Sequence, residues 1–276
     1  MTSKTQLRNK IIARSIVVTT LLLLYIPLLL LIVFSFTPGP ALGQWNGFSF
    51  ELYRDLFTNR GAMAAVRTTF VTAIVSGLIA VVIGTFTAIG IFHMKKRPKA
   101  LATAGTQITV INAEVVTGFA FAILFAQIGV MFGGRYIFGM WTLIISHIMF
   151  TTPFVILAVM PRLYQLNPNL YEAGLDLGAG PTRTMFTVIM PQLVPGMISG
   201  FALAVTVSLD DFVVGNFTRG VMGLETISSW LYNSRQGIPP ESRPLSAIIL
   251  LFAFVALGVL YAKNKYSQRK WKERLK

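Results

Sequence analysis

Cysteine is absent from the 276 residues, so the chain has neither a disulfide framework nor a thiolate metal site. Histidine occurs twice, at His93 and His147, without ligand-spaced companions. That argues against a metal centre, and with no cluster of acid and base residues it also argues against a membrane enzyme. Charge is scarce, at 12% of residues. No G-x-x-x-x-G-K-[ST] loop occurs, so nothing in the chain is built to bind and hydrolyse ATP itself. No ten-residue alternating pattern points to a β-barrel.

What fills the sequence is apolar: 54% of residues are hydrophobic and mean hydropathy is +0.66, outside the range of a soluble domain. A helix that crosses a bilayer needs about 20 apolar residues. Runs of that order fall at residues 16–36, 68–92, 100–134 (interrupted by Glu114), 137–160, 192–209 and 245–262. They predict an all-α polytopic membrane protein with about six transmembrane helices in residues 16–262, between basic tails at 1–15 and 263–276. The first run follows Lys4, Arg8, Lys10 and Arg14 as a secretory signal would, but its apolar core is too long for one and predicts an uncleaved helix. Ala41-Leu42-Gly43 resembles a cleavage site, yet it lies beyond Pro38 and Pro40 and reads as a loop.

The net charge of +14 is unevenly placed. Basic residues concentrate in the N-terminal tail, in Lys95, Lys96, Arg97 and Lys99, and in the C-terminal tail, three segments that share one side of a six-span protein. Residues 37–65, the Arg135 turn and residues 210–243, on the other side, are close to neutral. The asymmetry predicts that both termini are cytoplasmic and removes the need for a nucleic-acid partner. The C-terminal tail can also meet anionic lipid headgroups.

With that orientation the polar segment 162–191 is cytoplasmic, and it carries two helix signatures in series. Asn167-Pro168 supplies a capping side chain and a proline for the first turn, Glu172 sits near the positive helix start, and Gly178 stops the helix. Leu170, Ala173, Gly174 and Leu177 share a face. Gly180-Pro181 opens a second helix with Met185, Val188 and Ile189 as its stripe, before Pro191 begins the fifth span. Such a pair either docks another protein or lies on the headgroups as an amphipathic connection.

Glu172-Ala173-Gly174, then Gly178 three residues on, then Val188-Ile189-Met190-Pro191 after nine more, resembles the EAA loop of ABC-importer permeases, whose pattern is E-A-A, three residues, G, nine residues, I-x-L-P. The departures are Gly174 for alanine, Val188 for isoleucine and Met190 for leucine; Gly174 is expected to loosen the helix by about 1 kcal/mol relative to alanine. Tyr25-Ile26-Pro27, Ser146-His147-Ile148 with Pro153-Phe154, Leu209-Asp210-Asp211-Phe212 and Gly237-Ile238-Pro239-Pro240-Glu241 are similar to the PotC-like permease subunits of spermidine/putrescine importers. The resemblance implies a type I importer permease (MetI-like) bundle in the bacterial cytoplasmic (inner) membrane, paired with a second permease as a heterodimer. It implies further partners: a cytoplasmic ATPase dimer that hydrolyses ATP with magnesium, an extracytoplasmic substrate-binding protein and membrane lipid. By the same resemblance, this chain is expected to bind no cofactor, and Glu172, Ala173, Gly174, Gly178 and Pro191 are expected to form the segment that couples it to the ATPase.

Three carboxylates are candidates for the substrate pathway. Glu114, costly in hydrocarbon, either faces the pathway or marks a break in its span by standing at a local helix start. Asp210 and Asp211 end the fifth span, where they attract a cation, terminate a solvated helix or meet the binding protein. As neighbours they diverge by about 100° on a helix, so one at most faces the pore, and an aspartate at a helix C-terminus needs compensation for the macrodipole. Gly77, Gly84 and Gly90, with Ser76 and Thr85, predict close helix packing. Trp45, Trp141 and Trp230 with Tyr232 read as interfacial anchors or loop-core residues, with an aromatic cage for an amine as the alternative. Taken together these features predict an importer permease for polyamines. The alternatives are a permease for iron, phosphonate, molybdate or sulfate, the anions fitting poorly with three acids, and an ATP-independent secondary transporter, for which no internal repeat is found.

Overall fold

The computed structural model describes residues 3–39, 44–134, 136–167, 169–220, 224–234, 239–255 and 258. The C-terminal tail 263–276, Arg135, Pro168, Ala41-Leu42-Gly43 and Gly237-Ile238 lie outside the described residues. Every regular element among the described residues is helical: α1 (Ser3–Phe34), α2 (Glu51–Thr58), α3 (Arg60–His93), α4 (Lys96–Ile111), α5 (Glu114–Met131), α6 (Met140–Gln165), α7 (Asn169–Asp176), α8 (Pro181–Thr184), a π-helical turn (Met185–Ile189), α9 (Met190–Asp210), α10 (Val213–Thr218), α11 (Ile227–Asn233) and α12 (Ser242–Val255). Five are long and apolar enough to cross a membrane: Asn9–Phe34 within α1, then α3, α5, α6 and the continuous helix Pro181–Asp210. The helix α12 begins the sixth expected run, which continues beyond the described residues. The all-α, polytopic class is therefore as expected.

Three boundaries differ from expectation. Helix α1 starts at Ser3, inside the basic tail, rather than at residue 16. The third run is two helices, because Asn112 and Ala113 adopt extended backbone and Glu114 starts a new helix. In α4 the hydroxyls of Thr106 and Thr109 turn back onto their own helix's carbonyls and no side chain is buried, whereas α5 is apolar apart from Glu114, Thr117 and Gln127. The fifth span does not begin beyond Pro191. It runs unbroken from Pro181, and the π-helical turn just before Pro191 is a local widening of the kind that lets a helix absorb a proline.

The contacts divide the chain into two units, residues 64–233 and residues 1–63 with 234–276. In the first unit the core lies along α6 and α9, with α3 against them: Val155, Ile156, Val159, Met160 and Leu163 meet Leu193 and Ala204, and Ala80, Val81 and Ala88 complete the cluster. Bulky residues on α6 fit where its neighbours carry none. A Cβ on Gly84 of α3 would lie 2.8 Å from Val155 Cβ, and one on Gly200 of α9 would lie 3.1 Å from Val155 Cγ1, so Val155 is a knob held between two glycines. Gly77 is also closed, less tightly, by Val205 and Phe201; Gly90 faces open space, so the expected packing role holds for the first two glycines and not for the third. Ser76 and Thr85 are buried in the same helix.

In the second unit, α2 buries Leu52 and Leu56, and Phe36 stacks on Phe48 with ring centroids 5.1 Å apart. Ser35 and Tyr53 share a hydrogen bond of 2.8 Å. Arg243 donates to the Gly39 carbonyl, and Asn59 to Glu241.

Candidate functional site

At one end of the 64–233 unit lies the helix pair of the EAA-like segment. Asn167 Oδ1 accepts the Asn169 N–H at 3.0 Å, the expected cap at the start of α7. Its end is a Schellman motif: Gly178 has φ +82°, its N–H bonds the Leu175 carbonyl at 2.9 Å, and the Ala179 N–H bonds the Gly174 carbonyl at 3.2 Å. Gly178 thus stops α7 because it alone enters the left-handed region without a Cβ penalty.

The four residues expected to share a face of α7 do not all lie on one side of it. Gly174 is buried and Leu170 and Tyr171 pack on the core, whereas Ala173 is exposed and Leu177, past the last helical turn, is 89% exposed. The exposed side therefore carries Glu172, Ala173 and Leu177 together. Gly174 is not a loosened alanine position. A Cβ there would stand 2.5 Å from Thr184 Cγ2, and the Thr184 side chain is fully buried, so the missing methyl is what lets α7 lie against α8. On the second helix Ile189 is buried and Met185 packs on the core as expected, while Pro191 is exposed within the first turn of α9.

Between this pair and the ends of α3 and α6 is a cavity of about 370 Å³, with Ile89, Phe92, Leu163, Tyr171, Glu172 and Ile189 in its lining. Lys99 reaches over its aromatic wall: Nζ is 4.7 Å from the Phe92 ring centroid and 4.9 Å from that of Tyr164. The basic loop that marked one side of the membrane in the sequence thus meets the helix pair at the same end of the unit. His93 Nδ1 bonds the Ile89 carbonyl of its own helix, consistent with its plain reading.

The three candidate pathway acids converge at the opposite end of α9, about 30 Å of helix away at 1.5 Å per residue. Glu114 lies within electrostatic reach of both Asp210 and Asp211. It is exposed at the first position of α5, where a carboxylate complements the helix dipole, so the break foreseen in this span is present. The two aspartates diverge, as their adjacency requires: Asp210 is exposed at the last position of α9, and Asp211 is 4% exposed.

Asp211 is held by the next helix. Its Oδ1 accepts the Val214 N–H at 3.1 Å and its Oδ2 the Gly215 N–H at 2.7 Å, so the carboxylate caps α10. This is the compensation that an aspartate at the end of α9 needs: the positive end of a second helix. Beside it stands His147 of α6, 1% exposed, with Nε2 3.5 Å from Asp211 Oδ2. His147 Nδ1 lies 2.8 Å from the Leu143 carbonyl, and a carbonyl only accepts, so Nδ1 is the donor and Nε2 is turned to the aspartate. Thr142 and Ser146 on the same face of α6 reach the Thr218 carbonyl and hydroxyl at 2.7 and 2.9 Å. The sequence reading missed this role for His147, and no local signal reveals it, because its partner sits on another helix far along the chain.

A difference in roles follows for the aspartates. Asp211→Ala leaves two buried N–H groups without an acceptor and is expected to cost about 2 to 4 kcal/mol, read as a lower melting temperature of the purified protein. Asp210→Ala should leave that temperature unchanged; equal melting of the two variants excludes the capping role.

The remaining aromatic candidates separate. Trp230 is buried within α11, while Trp141 and Tyr232 are 77% and 74% exposed. Trp45, in the other unit, is also exposed.

Comparison with known proteins adds the following. The family described as binding-protein-dependent transport system inner membrane component matches residues 2–270. The spermidine/putrescine transport system permease protein PotC of Escherichia coli (strain K12) is 30% identical over 245 residues, covering 88% of this chain and 90% of that protein. The putrescine transport system permease protein PotI of the same strain is 31% identical over 233 residues, covering 82% and 81%. A solved bacterial ABC transporter involved in the import of the acidic polysaccharide alginate is similar in fold, with TM-score 0.65 and 17% identity over 96% of this chain and 98% of that one.

Proposed function

The chain belongs to the family of binding-protein-dependent transport system inner membrane components, and on that premise we propose that it is the permease of an ATP-driven importer of the polyamines spermidine and putrescine. Membership makes it a multi-pass membrane subunit of an ABC importer rather than an enzyme. The substrate assignment is supported by the two relatives whose names specify polyamines, and by three carboxylates gathered at one end of α9. Glu114 and Asp210 are exposed there and would attract a cationic amine by Coulomb focusing, whereas Asp211 is taken up by the cap of α10. The positive-inside distribution supports cytoplasmic termini and a cytoplasmic Glu172 segment.

The observation that carries the coupling role is continuity. The exposed face of Glu172 sits on α7, α7 is wedged against α8 through Gly174 and Thr184, and α8 runs into a membrane span without interruption. A partner ATPase dimer that closes on ATP would therefore pull on a lever with no slack in it. Such a pull biases the bundle from inward- to outward-facing by the few kcal/mol that a population shift requires. Magnesium and ATP belong to that partner, a second permease completes the pore, and an extracytoplasmic binding protein delivers the substrate.

Glu172→Ala is expected to lower uptake about five- to tenfold while leaving membrane insertion and chain level unchanged, since an exposed carboxylate contributes to docking and not to the fold. Normal uptake by this variant sinks the coupling assignment. The substrate is tested separately, by asking whether spermidine-loaded binding protein stimulates ATP hydrolysis by the reconstituted complex. A response to another solute and to no polyamine overturns the substrate while leaving the importer intact.

A further inference from the structure

We propose that Lys99 is a positioning residue: its ammonium ties α4 to the ends of α3 and α6 and so fixes α4 relative to the Glu172–Pro191 helix unit. The tie is distinct from the topological role of the neighbouring cations. Lys95, Lys96 and Arg97 are exposed, whereas Lys99 is half-buried.

Electrostatics explains why this one lysine turns inward. The first turn of α4 holds no acid and carries a run of cations, an arrangement that opposes the helix dipole. At the same place α3 ends, and the last carbonyls of a helix lack partners within it. Lys99 Nζ donates to the Phe92 carbonyl at 3.1 Å, which satisfies one of those carbonyls and places positive charge at the negative end of α3. The same ammonium lies over two aromatic faces, Phe92 of α3 and Tyr164 of α6, whose rings meet edge-on at 5.5 Å.

Two features give the tie its consequence. Helix α4 buries no side chain fully, and at this end Ala102 packs only partly buried on the core, so a charged anchor is a large share of its attachment there. Phe92 and Tyr164 also line the cavity against which Tyr171 and Glu172 sit, so the wall that seats the ammonium is the wall that supports the coupling helix. Beyond α4 the chain passes through the break at Asn112 and Ala113 to Glu114. Lys99 thus sets α4 among the elements that move with the helix unit, which rests on the coupling role proposed above for that unit.

The test uses the assembled transporter. The chain has no cysteine, so spin labels can be placed at Leu101→Cys on α4 and Thr187→Cys in the π-helical turn of the helix unit, both exposed positions. Lys99→Met keeps the stem and removes the charge, and it is expected to broaden the label-to-label distance distribution about twofold and to lower transport per ATP hydrolysed about fivefold. Lys99→Arg, whose guanidinium can also cover both rings and reach the carbonyl, is expected to restore both. An unchanged distribution in Lys99→Met, or a distribution in Lys99→Arg as broad as in Lys99→Met, overturns the proposal. A broadened distribution with normal transport per ATP supports the positioning role and instead refutes the coupling role of the unit. If Lys99→Met does not assemble, Tyr164→Phe and Tyr164→Leu take its place at an exposed position: the first should retain the narrow distribution and the second lose it, and equal behaviour of the two overturns the proposal.

Discussion

Gly174→Ala is expected to reduce uptake by about tenfold, although alanine is the better helix former and is the residue the EAA pattern carries at this position. The added Cβ would stand 2.5 Å from Thr184 Cγ2 and 3.2 Å from Thr184 Oγ1. Thr184 has no flexible end to swing aside, since it is β-branched, fully buried and in the first turn of the helix that becomes a membrane span. Helix α7 must therefore lift from α8. Overpacking of this kind costs about 1 to 3 kcal/mol, more than the gain of about 1 kcal/mol in helix propensity. The displacement also turns the exposed face of Glu172 and Ala173 away from the docking position proposed for it. Thr184→Ser removes the methyl that collides, so the double variant should recover most of the lost uptake while Thr184→Ser alone stays near normal. Equal uptake by Gly174→Ala and the unaltered chain would show that this contact is slack, and a double variant as poor as the single would place the defect elsewhere.

Gly84→Ala is expected to reduce the yield of folded, detergent-stable protein about tenfold, the largest loss in stability foreseen for a single methyl in this chain. The new Cβ would meet Val155 Cβ and Cγ1 at 2.8 Å and the Thr152 carbonyl at 3.3 Å. Val155 has little room to retreat, because Gly200 of α9 closes on it from the other side, where even a single added Cβ would stand 3.3 Å from Val155 Cα. The helices must separate, and in lipid there is no hydrophobic drive to offset lost contact between them. Val155→Ala should restore folding in the Gly84→Ala background by giving the methyl its space. Gly90→Ala supplies the comparison: nothing lies within 4 Å of its Cβ, and its yield should match or slightly exceed that of the unaltered chain. A normal yield for Gly84→Ala, measured by size-exclusion chromatography, removes Val155 from its place as the knob of this core.

The candidate site was legible in the sequence where its signals are local. Asn167 and Gly178 announced both ends of α7, and the spacing from Glu172 to Pro191 carried the family resemblance. Where contacts decided, the reading fell short. Helical spacing put Leu170, Ala173, Gly174 and Leu177 on one shared face, but the helix ends at Asp176, and Leu177 beyond it is exposed while Gly174 is buried. Pro191 looked like the start of a span because proline favours a first turn; the π-helical turn before it let the helix pass through. His147 looked inert because its partner, Asp211, sits in the link between α9 and α10, far along the chain.

The sequence by itself determined what depends on composition and short spacing: an all-α membrane chain, the approximate spans, the charge asymmetry and the caps of α7. These follow from hydrophobic length, from charge near helix ends and from backbone freedom, each acting within a few residues. Only the tertiary structure decided which small residue is a close contact and which is open space, which aspartate is exposed and which is spent on a cap, and which of four cations turns inward. Those outcomes turn on Thr184 facing Gly174, Val155 facing Gly84, α10 facing Asp211 and two rings facing Lys99. Close packing and the low dielectric of a helix interior act between residues far apart in the chain, and no local pattern records them.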